Sequence, residues 1–181
     1  MKSVMLGMLA ETSVHPGSGR NLGVVDLPVA REAATSYPVV VGSSLKGALR
    51  DKGERLDQAR ADREFGQQDQ GGRVLVSDGR LLLLPVRSLS GASRWVTCTH
   101  LLERYSRDRI RIGRPGLDAL NTSELAVSQG TALTTGVAGQ LFLEERQYTV
   151  AGAPPQSLVT ELQKLVRPPR TQQRIAERLG V

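Results

Sequence analysis

Apolar residues fall in short runs separated by glycine-rich or polar stretches, and the runs differ in period. Over residues 2 to 12 the apolar side chains occupy both parities, Val4, Leu6 and Met8 on one and Met5 and Leu9 on the other. That pattern predicts a buried central strand covered on two faces. A loop carrying Pro16, Gly17, Gly19, Gly23 and Pro28 follows, then an extended stretch over residues 39 to 41 that stops at Gly42. Ser43 or Ser44 is placed to cap a helix through Leu45, Ala48 and Leu49. The polar residues 57 to 72, with Gln67, Gln68 and Gln70, read as a surface connection. Residues 74 to 76 and 81 to 86 flank Asp78-Gly79, a dipeptide suited to a tight turn, and predict a hairpin. Residues 95 to 107 place Val96, Leu101, Leu102 and Tyr105 on the buried side of a second helix.

The order strand, helix, strand, strand, helix predicts an α+β fold, a ferredoxin-like or RNA-recognition-motif-like sheet with helices on one face. Residues 108 to 139 lose periodicity and are rich in Arg, Gly, Ser and Thr, which predicts an insertion projecting from that sheet. Residues 141 to 150 return to strand, and a helical region through Leu158, Leu162 and Leu165 breaks at Pro168-Pro169 before Ile175 and Leu179. With 181 residues and no internal repeat, one domain over residues 1 to 181 is expected.

Charge changes the picture more than composition does. Apolar content of 39% with 23% charged residues is that of an ordinary folded chain. The balance of 24 Lys and Arg against 18 Asp and Glu, net +6, favours a polyanionic partner, because cations that neutralise phosphates release condensed counterions. A lone cysteine, Cys98, excludes an internal disulfide and fits a reducing compartment. The apolar run after Lys2 is short for a signal peptide and leads into Glu11, and no other run approaches a membrane span, so a cytoplasmic location without membrane attachment is expected.

Several chemistries are disfavoured by spacing. The glycines at 17, 19 and 23 do not match the dinucleotide fingerprint, and residues 42 to 50, GSSLKGALR, lack the Gly-Lys-Ser/Thr order of a nucleotide-binding loop. Cys98 and His100 leave His15 as the one further ligand outside the carboxylates, too few for structural zinc. Two segments suit a phosphate backbone instead. His15 and Asp26 bracket a glycine-rich loop that lets backbone approach an anion, with Gly17, Ser18, Gly19 and Arg20 as RNA-binding candidates. Ser43 and Ser44 at a helix start join Lys46 and Arg50, one turn apart on a single face. Arg109 and Arg111, in a basic run, are further candidates, while three Tyr, two Phe and one Trp are too few for base stacking to dominate. Each segment is equally readable as a turning loop or a solvated basic helix face.

Taken together, GSGRNLGVVDLPVARE (17 to 32), YPVVVGSSLKGALRD (37 to 51), SDGRLLLLPVRS (77 to 88) and WVTCTHLLERYSRD (95 to 108) closely resemble the backbone subunit of type III-B CRISPR effector complexes, within the repeat-associated mysterious protein superfamily. The resemblance implies a modified ferredoxin-like palm, with residues 108 to 139 as an inserted thumb, and without the family's C-terminal segment. It implies copies stacked head to tail along a guide CRISPR RNA beside other effector subunits, and cleavage of bound target single-stranded RNA at regular intervals. Asp26 corresponds to the family's cleavage aspartate and implies a divalent metal, Mg2+ or Mn2+, at that carboxylate; His15 matches a family position as catalytic support. Guide contacts carry over to Ser43, Ser44, Lys46 and Arg50. The alternative is a non-catalytic RNA-binding subunit in which Asp26 is inert.

Overall fold

A computed structural model describes residues 2–17, 28–117, 125 and 127–181. Asp26, Ser18, Gly19 and Arg20 lie outside the described residues. The chain is α+β, with small sheets, and divides into two units, residues 10–81 and residues 1–9 with 82–181.

In the unit of residues 10–81, β1 (Val39–Val40) precedes α1 (Gly42–Glu54), α2 (Gln58–Phe65), β2 (Gly66–Gln67), β3 (Gln70–Gly71) and β4 (Gly79–Arg80). β1 pairs antiparallel with β4, so Val39 lies opposite Arg80. Residues 57 to 72 are therefore not a plain connection. The Asp57 carboxylate accepts the Arg60 N–H at 3.0 Å and caps α2, and Ala61 is buried against α1 at Gly53, where a Cβ would lie 3.4 Å from the Ala61 methyl. Polar surface periodicity hid this helix, since its single buried position leaves almost no apolar stripe.

The second unit contains β5 (Leu84–Ser88), β6 (Ala92–Val96), α3 (Thr99–Arg111), β7 (Thr131–Leu133), β8 (Gln140–Leu143), β9 (Arg146–Gly152), α4 (Gln156–Gln163), α5 (Pro169–Arg178) and β10 (Leu179–Gly180). One three-stranded sheet runs β10-β6-β5 and another β7-β9-β8. They join along β10, where Leu133 and Val181 exchange N–H···O bonds of 3.0 and 2.9 Å and the Thr135 N–H donates to Leu179 O at 3.1 Å. Their outer strands also touch, the Glu144 N–H donating to Arg87 O at 2.9 Å and the Ser88 hydroxyl to Phe142 O at 2.7 Å. Leu102 of α3, Leu158, Val159 and Leu162 of α4, Ile175 of α5 and Leu133 and Leu179 of the sheets form one core. Pro169 sits in the first turn of α5, where a missing N–H costs nothing, which turns the Pro-Pro break into a helix start.

Three sequence expectations give way here. Residues 2–10 belong to no strand among the described residues, and Val4, Leu6 and Met8 are 89%, 64% and 55% exposed, so the predicted buried strand does not form there. The predicted hairpin at Asp78-Gly79 is displaced: β5 pairs with β6, from Leu84 opposite Val96 to Ser88 opposite Ala92. Gly91 and Ala92 supply the positive φ values there, 96° and 65°, while Asp78 is engaged with α1. Consequently Trp95 and Val96 are in strand, and the second helix begins at Thr99. Of residues 108 to 139, Arg111 closes α3, Leu117, Leu125 and Leu133 join the core, and residues 118–124 and 126 lie outside the described residues.

Candidate nucleic-acid interface

The start of α1 is built by a contact 36 positions away in sequence. Gly42 is the first helical residue, preceded by Val41 as N-cap, so Ser43 and Ser44 occupy the first turn rather than the cap predicted for them. The cap is instead supplied by Asp78, whose Oδ1 accepts the Gly42 N–H at 2.7 Å. A carboxylate at a helix N-terminus is favoured by both the hydrogen bond and the helix dipole. Gly42 is required by packing: a Cβ there would lie 2.7 Å from Val76 O and 2.9 Å from the Ser77 carbonyl carbon, both backbone. This close approach brings the Asp78 loop under the helix start and leaves Ser43 and Ser44 exposed, without a capping bond from either side chain.

Lys46 and Arg50 follow one turn apart, and they differ. Lys46 is half-buried and makes no ion pair with a described residue. Arg50 Nε donates to Glu54 Oε1 at 2.6 Å and its Nη2 to Asp62 Oδ1 at 3.2 Å, so its guanidinium ties α1 to α2. Within this unit, Gly17 bridges Val29, the Ala30 N–H donates to Pro16 O at 2.7 Å, and His15 is exposed. The exposed sites Ser43 and Ser44 with Lys46 thus form a polar and cationic helix start with donor capacity to spare.

Arg109 and Arg111 belong to the other unit, on α3. Arg109 Nη1 donates to Glu161 Oε2 at 3.1 Å and its guanidinium lies 5.9 Å from the Tyr105 ring centroid, which fixes it between α3 and α4. Arg111 is exposed and reaches Asp108 at 3.3 Å. Hydrogen bonds from Lys164 and Arg109 hold the Glu161 carboxyl below the usual carboxylate range. The ionised contact is therefore complete above that range and is lost as acidification protonates Glu161. Arg94 was not singled out by sequence. It is buried, donates to Thr134 Oγ1 at 3.0 Å and Thr135 O at 2.9 Å, and burial followed by the nearby Arg178 charge lowers its pKa. An arginine at an alternate position of a hairpin strand reads as solvent-facing, so no local signal reveals its burial.

Among the described residues, no three His, Cys, Asp or Glu side chains gather closely enough to hold a metal ion, and no helix is long and apolar enough to cross a membrane.

The chain is 41% identical over 116 residues to the CRISPR system Cmr endoribonuclease Cmr4 of Pyrococcus furiosus, a match covering 60% of this chain and 39% of the relative. It superposes on oligomeric Cmr4 from Pyrococcus furiosus with a TM-score of 0.69 and 26% identity, covering 92% of this chain and 63% of that one. A chain of the type III-B Cmr-beta complex bound to cognate target RNA shares the fold, at TM-score 0.58 and 19% identity, with 76% and 55% covered. The chain thus spans 39% of the curated relative's length and 63% of the oligomeric Cmr4 chain. The sequence model of the RAMP superfamily matches residues 8–175, nearly the whole chain, and the protein belongs to that superfamily.

Proposed function

We propose that the chain binds RNA as the repeating backbone subunit of a type III-B CRISPR effector complex, on a modified ferredoxin-like palm whose thumb is residues 108 to 139. Copies stack along a guide RNA beside other effector subunits, and the assembly cuts target single-stranded RNA at intervals. The observation that carries this reading is the start of α1: Ser43 and Ser44 exposed in its first turn and Lys46 without an ionic partner among described residues, on a chain of net charge +6. Helix N–H groups and a lysine recognise a sugar-phosphate chain without reading sequence, as a subunit repeated along any guide must. Arg50 contributes field more than direct contact, because Glu54 and Asp62 already accept from it.

In this reading Asp26 is the cleavage residue and His15 supports it. An ionised carboxylate only accepts hydrogen bonds, so Asp26 takes up or orients the proton of a ribose 2'-hydroxyl beside a bent phosphodiester, and the bend supplies alignment. The described residues build no metal cage of their own, so an Mg2+ or Mn2+ would depend on Asp26 together with RNA phosphates and water. Such an ion would neutralise charge developing on the phosphate.

Salt titration tests the binding half of the reading. Affinity for single-stranded RNA should fall log-linearly with salt, with a slope of about −0.7 per phosphate contacted. Lys46→Ala should weaken binding equally for all sequences and reduce the slope by about 0.7, the share of one phosphate contact. Binding that ignores salt, or a Lys46→Ala variant with unchanged affinity and slope, contradicts it.

A further inference from the structure

We propose that the exposed face of α5, carrying Arg170 and Arg174 with Arg167 just before the helix, is a second contact for single-stranded RNA that grips phosphates without reading bases. All three residues are exposed, and none makes an ion pair with a described residue. They differ in this from Arg50, Arg55, Arg63, Arg87, Arg109 and Arg111, each of which meets a carboxylate. The row is unfavourable in the chain by itself. Arg170 and Arg174 stand one turn apart on one face, and Arg178 continues them, its Nη1 donating to Gly91 O at 2.6 Å. Like charges at that spacing repel. Arg170 also lies in a first turn that holds no acidic residue, where the helix dipole opposes a cation. The single carboxylate of α5, Glu177, accepts from Gln173 Nε2 at 2.7 Å and pairs with no described arginine. Arg94, whose pKa is lowered by burial and then by the charge of Arg178, is 3% exposed, meets no described carboxylate and has no acceptor at Nε. Cations therefore gather along α5 and beside it without counter-charge, and a bound polyanion supplies it.

The chemistry of the face selects the occupant. Its exposed residues are Arg167, Pro169, Arg170, Gln173, Arg174 and Glu177, with no aromatic or aliphatic side chain of the kind that anchors a protein partner. Phosphates need no such anchor, because a planar guanidinium donates two parallel N–H bonds to one phosphate group. Residues four apart are separated by about 6 Å along a helix, so Arg170 and Arg174 can each serve a phosphate of the same strand. Without aromatic side chains for base stacking, the contact is indifferent to sequence. The inference rests on the reading of the chain as an RNA-binding protein. It shares no residue with the start of α1, however, so either contact can fail alone.

Salt titrations of the full chain on a uridine homopolymer test it, using the unchanged chain, Arg170→Gln with Arg174→Gln, Lys46→Ala, and the combination. The arginine pair should reduce the slope by about 1.4, two phosphate contacts at about 0.7 each, both in the unchanged chain and in Lys46→Ala. Arg170→Lys with Arg174→Lys should keep most of the slope, because the charges remain. Melting temperatures should be unchanged throughout the arginine variants, since both residues are exposed. A Lys46→Ala slope equal to that of the unchanged chain, with the arginine pair still lowering it, removes the α1 contact and leaves this one standing. The proposal is overturned by an unchanged slope in the glutamine pair, or by absence of RNA binding in the unchanged chain. It is overturned equally if polyglutamate of matched charge competes as well as RNA, which would make the partner an acidic protein.

Discussion

Asp26→Ala in the complex assembled on guide RNA should lower target cutting by about 10²–10⁴-fold, the usual range for loss of a group that handles a proton. RNA affinity should stay within about twofold, because the phosphate contacts assigned to Ser43, Ser44 and Lys46 are untouched. Asp26→Asn should lose nearly as much as alanine: the amide keeps the shape but neither the charge nor the acceptor-only character that the proposed role requires. The readout is the ladder of regularly spaced products on an end-labelled target, alongside a binding isotherm on the same sample. Undiminished cutting would remove Asp26 from catalysis and leave the chain as an RNA-binding subunit whose cleavage is done elsewhere. Joint loss of cutting and binding would instead mean that the glycine loop is part of the RNA grip itself.

Leu162→Ala should destabilise the unit of residues 1–9 and 82–181 by about 2–5 kcal/mol. Leu162 is 0% exposed and lies in the cluster that holds α3, α4 and α5 against the sheets, beside Leu158 and Ile175, which are likewise fully buried. The methyl groups removed have no neighbour free to replace them, because the surrounding side chains belong to three different helices and two sheets. A urea titration should show a lower midpoint at unchanged slope. A loss under about 1 kcal/mol would mean that this cluster collapses around the gap and is not the organising core.

Elements with a clear apolar stripe were legible in the sequence, and so were breaks made by proline. The body of α1 through Leu45 and Leu49, the body of α3 through Leu101 and Leu102, and the division of α4 from α5 at Pro168-Pro169 all follow from local rules. What failed depended on partners distant in sequence. Asp78-Gly79 is a good turn dipeptide, but the Asp78 carboxylate is used at Gly42, and the hairpin turns at Gly91 instead. Two-sided apolarity over residues 2 to 12 predicted a buried strand, yet no described residue pairs with it and Val4, Leu6 and Met8 are exposed, because apolar parity does not specify a pairing partner.

The candidate site divides the same way. Ser43, Ser44 and Lys46 are found together on an exposed helix start, as their spacing and the resemblance suggested, yet the acceptor that caps that start lies 36 residues on. Arg50 and Arg109 looked like free cations because a sequence does not show which carboxylates oppose them; Glu54 and Asp62 meet the first and Glu161 the second. Charge count alone therefore overstates how many arginines are available to phosphate.

A cryo-EM reconstruction of the chain assembled on guide and target RNA tests the central claim most directly. The expected result is a guide phosphate about 2.7–3.2 Å from the first-turn amides of α1 and from Lys46 Nζ in each copy, with Asp26 beside a distorted target linkage. Guide RNA running elsewhere, with Ser43, Ser44 and Lys46 open to bulk water, would contradict the account.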